Sequence, residues 1–296
     1  MTLGVKVSPK FLKMFKHLGK KQCSQGISVL DVFILDIRSN NFVYENLVNE
    51  LYDIIITYAL SNSRLSEYEG SYGGKAFVEA KSKLRDYVQN DGELGEILLY
   101  SFLESHLQAP KLLSKLEIKT SANDYVKGAD GVHLLSLSDN EHKIVFGESK
   151  MRKHLLDGVS DAFRSIKKFA EGKLAFETTL IDSQLIKTSV TQDEYLVLKK
   201  ILLPTEADDD MSTDYSFGAF IGYEVAVSNE EKKLPNREYR ELLYERVKQQ
   251  ALDVFENVLN AIDRHELHGY NFYIYIVPFT EIDETRKLLL KRIVEA

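Results

Sequence analysis

A mixed fold, α/β or α+β in class with a mixed central β-sheet flanked by helices, is predicted by three observations. Apolar runs rich in β-branched residues alternate with segments of helical periodicity along the whole chain. The middle of the chain reads helix, strand, strand, strand, helix. Five prolines, no internal repeat and no low-complexity tract break this alternation, so no linker separates two independent domains. With 296 residues, 44% hydrophobic and 28% charged, the chain can bury one sizeable core. We expect a compact domain over 75–296 and an N-terminal extension, 1–74, packed on it.

In order, "ISVLDVFILDI" (27–37) is a strand by its β-branched content. "FVYENLVNELYDIIITYALS" (42–61) carries apolar residues at helical spacing. A loop (62–74) and a charged segment to Asn90 follow. Asp91 is placed to cap "GELGEILLYSFLESHL" (92–107), which is apolar on more than one side and so predicted buried. "KLEIKT" (115–120) is a short strand candidate. "ADGVHLLSL" (129–137) and "KIVFGESK" (143–150) form a hairpin through "SDNEH". "HLLDGVSDAFRSIKKFA" (154–170) is an amphipathic helix. Helical sequence to about 200 leads to the acidic loop "PTEADDDMSTDY" (204–215) and a strand at 217–227. A long helix from about 236 to 264, the strand "NFYIYIVPF" (271–279) and a C-terminal helix complete the chain.

Composition excludes several function classes. A lone cysteine, Cys23, leaves no internal disulfide and too few thiolates for a zinc or iron–sulfur site, which suits a reducing cytoplasm. The basic N-terminus lacks an apolar h-region, and the longest apolar stretch, "DIIITYAL", is too short to span a membrane. The net charge of −7 gives no global field for nucleic acid, although basic clusters lie at 13–21, 75–85, 150–153 and 164–168. "GSYGGKA" (70–76) lacks the spacing and the hydroxyl of a phosphate loop. "DDDMSTD" lacks the glycine and terminal glutamate of a calcium loop, and "HELH" (265–268) is not H-E-x-x-H.

One constellation survives. Glu-x-Lys occurs seven times, at 79/81, 117/119, 141/143, 148/150, 171/173, 230/232 and 231/233, so the pair alone means nothing. At 148/150 it ends an apolar strand, on the face of Ile144 and Phe146. A hairpin closing around Asp139 pairs residues whose numbers sum to 278, which sets Asp130 opposite Glu148 with Cβ atoms about 5 Å apart. Carboxylates that close repel each other and lose hydration unless a divalent cation joins them, and Mg2+ (with Mn2+ as the alternative) suits a few carboxylates plus waters and substrate phosphate. Lys150 is then placed to orient an attacking water or balance charge on the phosphoryl group. Glu96, among Leu94, Ile97 and Leu98 on the buried helix, is the preferred further ligand or water-positioning residue. Glu93, welcome in the first helical turn for its charge alone, is the reserve. Arg152, Lys153, Lys167 and Lys168, in two of the basic clusters, are the candidate contacts to a phosphate backbone. The plain alternative is a strand that emerges into solvent, with Asp130 in a turn beside Gly128 and Gly131.

"GELGEILLY", "KGADGVHLL" and "KIVFGESK" followed by a helix resemble the PD-(D/E)xK nuclease core, whose order is helix, three strands, helix. Asp130 matches that family's metal-binding aspartate and Glu148 with Lys150 its (D/E)-x-K, while Ala129 stands where the proline of the family name would be. More narrowly, about 75–290, including "NFYIYIVPFTEID", resembles the HamA family, nuclease subunits of the Hachiman antiphage defence system. The resemblance implies a restriction-endonuclease-like core, metal-dependent hydrolysis of DNA and a helicase partner of the HamB type.

Overall fold

The computed structural model describes residues 3–23, 28–70, 73–84, 92–116, 128–171, 184–202 and 212–296. In chain order these contain α1 (Lys10–Lys13), β1 (Phe15–Gln22), β2 (Ser28–Leu35), β3 (Ile37–Arg38), β4 (Asn41–Phe42), α2 (Tyr44–Ala59), α3 (Asn62–Ser66), α4 (Gly74–Lys83), α5 (Glu93–Ser105) and β5 (Lys111–Ser114). They continue with β6 (Gly131–Ser136), β7 (Glu141–Arg152), α6 (Leu155–Glu171), α7 (Gln184–Ser189), α8 (Gln192–Leu202), β8 (Ser212–Glu224), α9 (Asn236–Arg264), β9 (Asn271–Phe279) and α10 (Ile282–Glu295).

Seven of these strands form one mixed sheet in the order β1-β2-β9-β8-β7-β6-β5. Strands β2, β9, β8 and β7 run parallel, and antiparallel pairs close both edges. The parallel centre is buried on both faces, which is why its strands carry unbroken uncharged runs at 144–147 in β7, 216–223 in β8 and 271–279 in β9. Helices α2, α5 and α10 cover one face, and α6 and α9 the other.

Glycines let α5 settle on its face. A Cβ on Gly147 would meet Leu99 at 2.9 Å, and one on Gly218 would meet Leu103 at 2.7 Å. Every residue of α5 is buried, as its lack of a polar side predicts. Opposite, a Cβ on Gly158 of α6 would stand 2.7 Å from Ile221, so α6 rests on the face that Ile221 shares with its register partner Lys150.

Two buried charges tie distant segments to this frame. The Glu104 carboxylate at the end of α5 accepts main-chain N–H groups from Lys6, from Val7 at 2.9 Å and from Lys111 at 3.0 Å. The Lys111 ammonium donates to the carbonyls of Thr57, Tyr58 and Leu60 at 2.8, 3.1 and 2.7 Å, capping the C-terminus of α2 and fixing Tyr58.

The structure moves several predicted boundaries. β1 falls in the basic N-terminal segment, whose strand is mostly exposed and so shows no apolar alternation; it joins the same sheet. The short strand lies at Lys111–Ser114 rather than 115–120: Lys115 and Leu116 are in a helical turn, and 117–120 lie outside the described residues. α4 forms within the predicted charged segment, and β8 starts five residues before the predicted 217. Asp91, Ser71, Tyr72 and residues 204–211 of the acidic loop also lie outside the described residues. Among the described residues no helix is long and apolar enough to cross a membrane.

Candidate metal centre

The hairpin register is the one expected: Gly131 pairs with Gly147, Val132 with Phe146 and Leu134 with Ile144, each pair summing to 278. Beyond Gly147 strand β6 has ended while β7 runs on, and Asp130 covers that open edge. Gly128 before it holds φ +118°, a conformation that favours glycine. The Asp130 N–H donates to the Gly147 carbonyl at 2.8 Å. One oxygen of its carboxylate accepts the Ser149 N–H at 2.7 Å and the Ser149 hydroxyl at 2.8 Å.

Residues 147, 149 and 151 face α5, so Glu148 and Lys150 point to the α6 side. They form an ion pair with each other. Glu148 is only 5% exposed, so the strand does not emerge into solvent at this point. Burial first, then the Asp130 charge, pushes its carboxyl up to about 7 against the opposing pull of Lys150 and Lys115.

Glu96 approaches from α5, on the other face. One of its oxygens accepts the Tyr58 hydroxyl at 3.0 Å; the other lies 2.9 Å from the Lys115 ammonium. Lys115 also donates to the second oxygen of Asp130, so one ammonium bridges the two carboxylates. Tyr58, fully buried, has its hydroxyl held well above the usual phenol range by burial and then by Glu96, Asp130 and Glu93. Glu93 is therefore within electrostatic reach of the cluster, buried in the first turn of α5.

Asp130, Glu96, Glu148 and Lys150 thus gather at one sheet edge, with the carboxylates reaching it from both faces. Among the described residues no three Asp, Glu, His or Cys side chains converge as a ready metal shell. The donor set is all oxygen and rich in carboxylate, which suits Mg2+ or Mn2+ rather than a soft metal. Sequence reasoning missed Lys115, Tyr58 and Ser149. Lys115 heads the strand predicted at 115–120, Tyr58 is brought in by a contact spanning 38 residues, and Ser149 is an uncharged residue between Glu148 and Lys150.

The basic candidates are not gathered in one place. Arg152 pairs with Asp161 at 2.9 Å, and Lys153 is exposed, 4.0 Å from Glu224. Lys167 lies between Glu171 and Glu266, at 3.6 and 3.7 Å, and Lys168 is exposed. Gly158 of α6 stands beside Arg152. Lys167, nine residues further on, is about 14 Å away along the helix axis at 1.5 Å per residue.

In comparisons with known proteins, the family model of HamA matches residues 9–293. Cop9 signalosome-interactor 1 of Saccharomyces cerevisiae is 22% identical over 169 residues, 53% of this chain. The matched region spans 57% of the length of that yeast protein.

Proposed function

The chain belongs to the HamA family, and we propose that it is a divalent-metal-dependent deoxyribonuclease, an endonuclease or nickase, acting in antiphage defence beside a HamB-type helicase. Family membership supports the defence role. The observation that carries the nuclease reading is the burial of Glu148 beside Asp130, with Lys150 one step along the strand.

Asp130 and Glu148 would hold the cation, with Glu96 as a further ligand or through a water. Bound there, Mg2+ or Mn2+ supplies Lewis-acid polarisation of a phosphodiester and a more acidic water. Lys150 orients the attacking water and offsets charge on the phosphate. Ser149 holds Asp130 through two hydrogen bonds, and Tyr58 holds Glu96 through one. Arg152 and Lys153, next on β7, are the nearest candidates to receive the DNA backbone. A net charge of −7 suits a nuclease that binds DNA poorly alone and depends on its partner for substrate.

The test incubates the chain, with and without the helicase, with plasmid DNA in Mg2+ or EDTA, using Lys150→Ala as control. Metal-dependent cutting lost in the variant supports the reading; equal cutting by variant and wild type overturns the site assignment. Tight binding of duplex DNA by the isolated chain at physiological salt would overturn the dependence on a partner. A non-catalytic adaptor is the second reading, favoured by the yeast relative being named an interactor. Stable binding of the helicase or of DNA with no cutting under any metal would support it.

A further inference from the structure

Glu96 and Asp130 are buried carboxylates, and the place between them is already filled by a cation of the chain itself. The Lys115 ammonium stands 2.9 Å from one Glu96 oxygen and donates to one Asp130 oxygen. The remaining oxygens are engaged as well, by the Tyr58 hydroxyl at 3.0 Å and by the Ser149 N–H and hydroxyl at 2.7 and 2.8 Å. The cavity lined by Tyr58, Glu96, Asp130 and Gly147 measures about 10 Å³, at the threshold for a single water. A divalent ion that uses both carboxylates therefore has to replace the ammonium rather than join it.

Lys115 is equipped to leave. It follows β5 at the open sheet edge, and its side chain is 26% exposed, whereas its two partners are 3% and 5% exposed. Its long stem lets the ammonium reach water while the backbone stays in place. The carboxylates stay, held by Tyr58 and Ser149 on elements packed into the core. Glu148 has a cation of its own in Lys150, so two lysines, one on each side of the sheet, offset part of the charge of the three carboxylates in the metal-free cluster.

We propose that Lys115 is a resident cation that occupies the metal position between Glu96 and Asp130 and withdraws to solvent when a divalent ion enters. The inference rests on the metal-centre reading. It adds that the affinity of the site for metal is set partly by competition with this side chain, and that in the metal-free protein the lysine takes up part of the charge a divalent ion would otherwise neutralise. A purely structural ion pair would predict the opposite on removal of the lysine: a disordered site that binds metal no better.

The experiment titrates Mn2+ into the full chain by calorimetry, without nucleic acid, comparing wild type with Lys115→Met, which keeps an unbranched apolar stem one atom shorter and removes the charge. The variant is expected to bind Mn2+ about tenfold more tightly, within the usual range of coupling between two binding events. Its melting temperature in EDTA is expected below that of wild type, with a larger rise on adding Mn2+. Equal or weaker binding by the variant overturns the role of Lys115 and leaves the metal centre standing. No Mn2+ binding by either chain overturns both. Should the variant not fold, amine labelling of wild-type Lys115, read by mass spectrometry, gives the same answer. Labelling that rises several-fold with Mn2+ supports withdrawal, and unchanged labelling refutes it.

Discussion

Replacing Glu148 by glutamine is expected to stabilise the metal-free protein in alkaline buffer, although it removes an ion pair. The Glu148 carboxyl sits at about 7, against an ordinary value of 4.5, because burial and Asp130 disfavour its charge more than Lys150 favours it. A group raised in this way contributes fully below pH 4.5 and loses that contribution as pH rises through 7. At about 1.36 kcal/mol per pH unit, the full shift corresponds to roughly 3 kcal/mol. That shift is already net of the Lys150 attraction, so the gain for Glu148→Gln at pH 8.5 is about 3 kcal/mol. For 296 residues the entropy of unfolding is about 0.6 kcal/mol/K, so the melting temperature should rise by about 5 °C. The assay is thermal and urea unfolding in EDTA at pH 5 and pH 8.5. The gap should be large at pH 8.5 and nearly closed at pH 5. A pH-independent gap, or a variant less stable than wild type at pH 8.5, would refute the reasoning.

Other consequences follow from the packing around the site. Gly218→Ala places a Cβ 2.7 Å from one terminal carbon of Leu103, itself fully buried, and should destabilise by about 1–3 kcal/mol in urea unfolding at any pH. Glu104→Gln leaves one amide oxygen and a donating amide NH2 where a carboxylate received three N–H groups. A loss of about 1–3 kcal/mol is expected, with faster hydrogen exchange at Lys6 and Val7. Tyr58→Phe removes the hydroxyl that holds Glu96 and should lower stability by about 1–2 kcal/mol, measured by urea unfolding in EDTA.

Much of this fold can be read from residue patterns because its centre is parallel. Strands buried on both faces need unbroken apolar runs, and β9 lies where "NFYIYIVPF" predicts it. The hairpin register also follows from the chain, since Asp139 lies in the turn and Gly131 pairs with Gly147, the neighbours of Asp130 and Glu148. Edges were harder. β1 is a solvated edge strand whose charges hide its pairing, and β5 is four residues long, too short to separate from the end of the preceding helical pattern. The site was legible where local order placed charge on an apolar strand, at Glu148 and Lys150. It was not legible at Lys115 or Tyr58, whose roles depend on tertiary contacts that no local pattern encodes. The approach of Glu96 from the opposite face could not be read either, because strand alternation says nothing about where a helix will rest.

The most direct test of the account is the position of a bound metal. Crystals grown with Mn2+ should show one anomalous peak in direct contact with carboxylate oxygens of both Asp130 and Glu148, with the Lys115 ammonium displaced from Glu96. A peak bound elsewhere, or no peak at saturating Mn2+ with the Lys115 bridge intact, would contradict it.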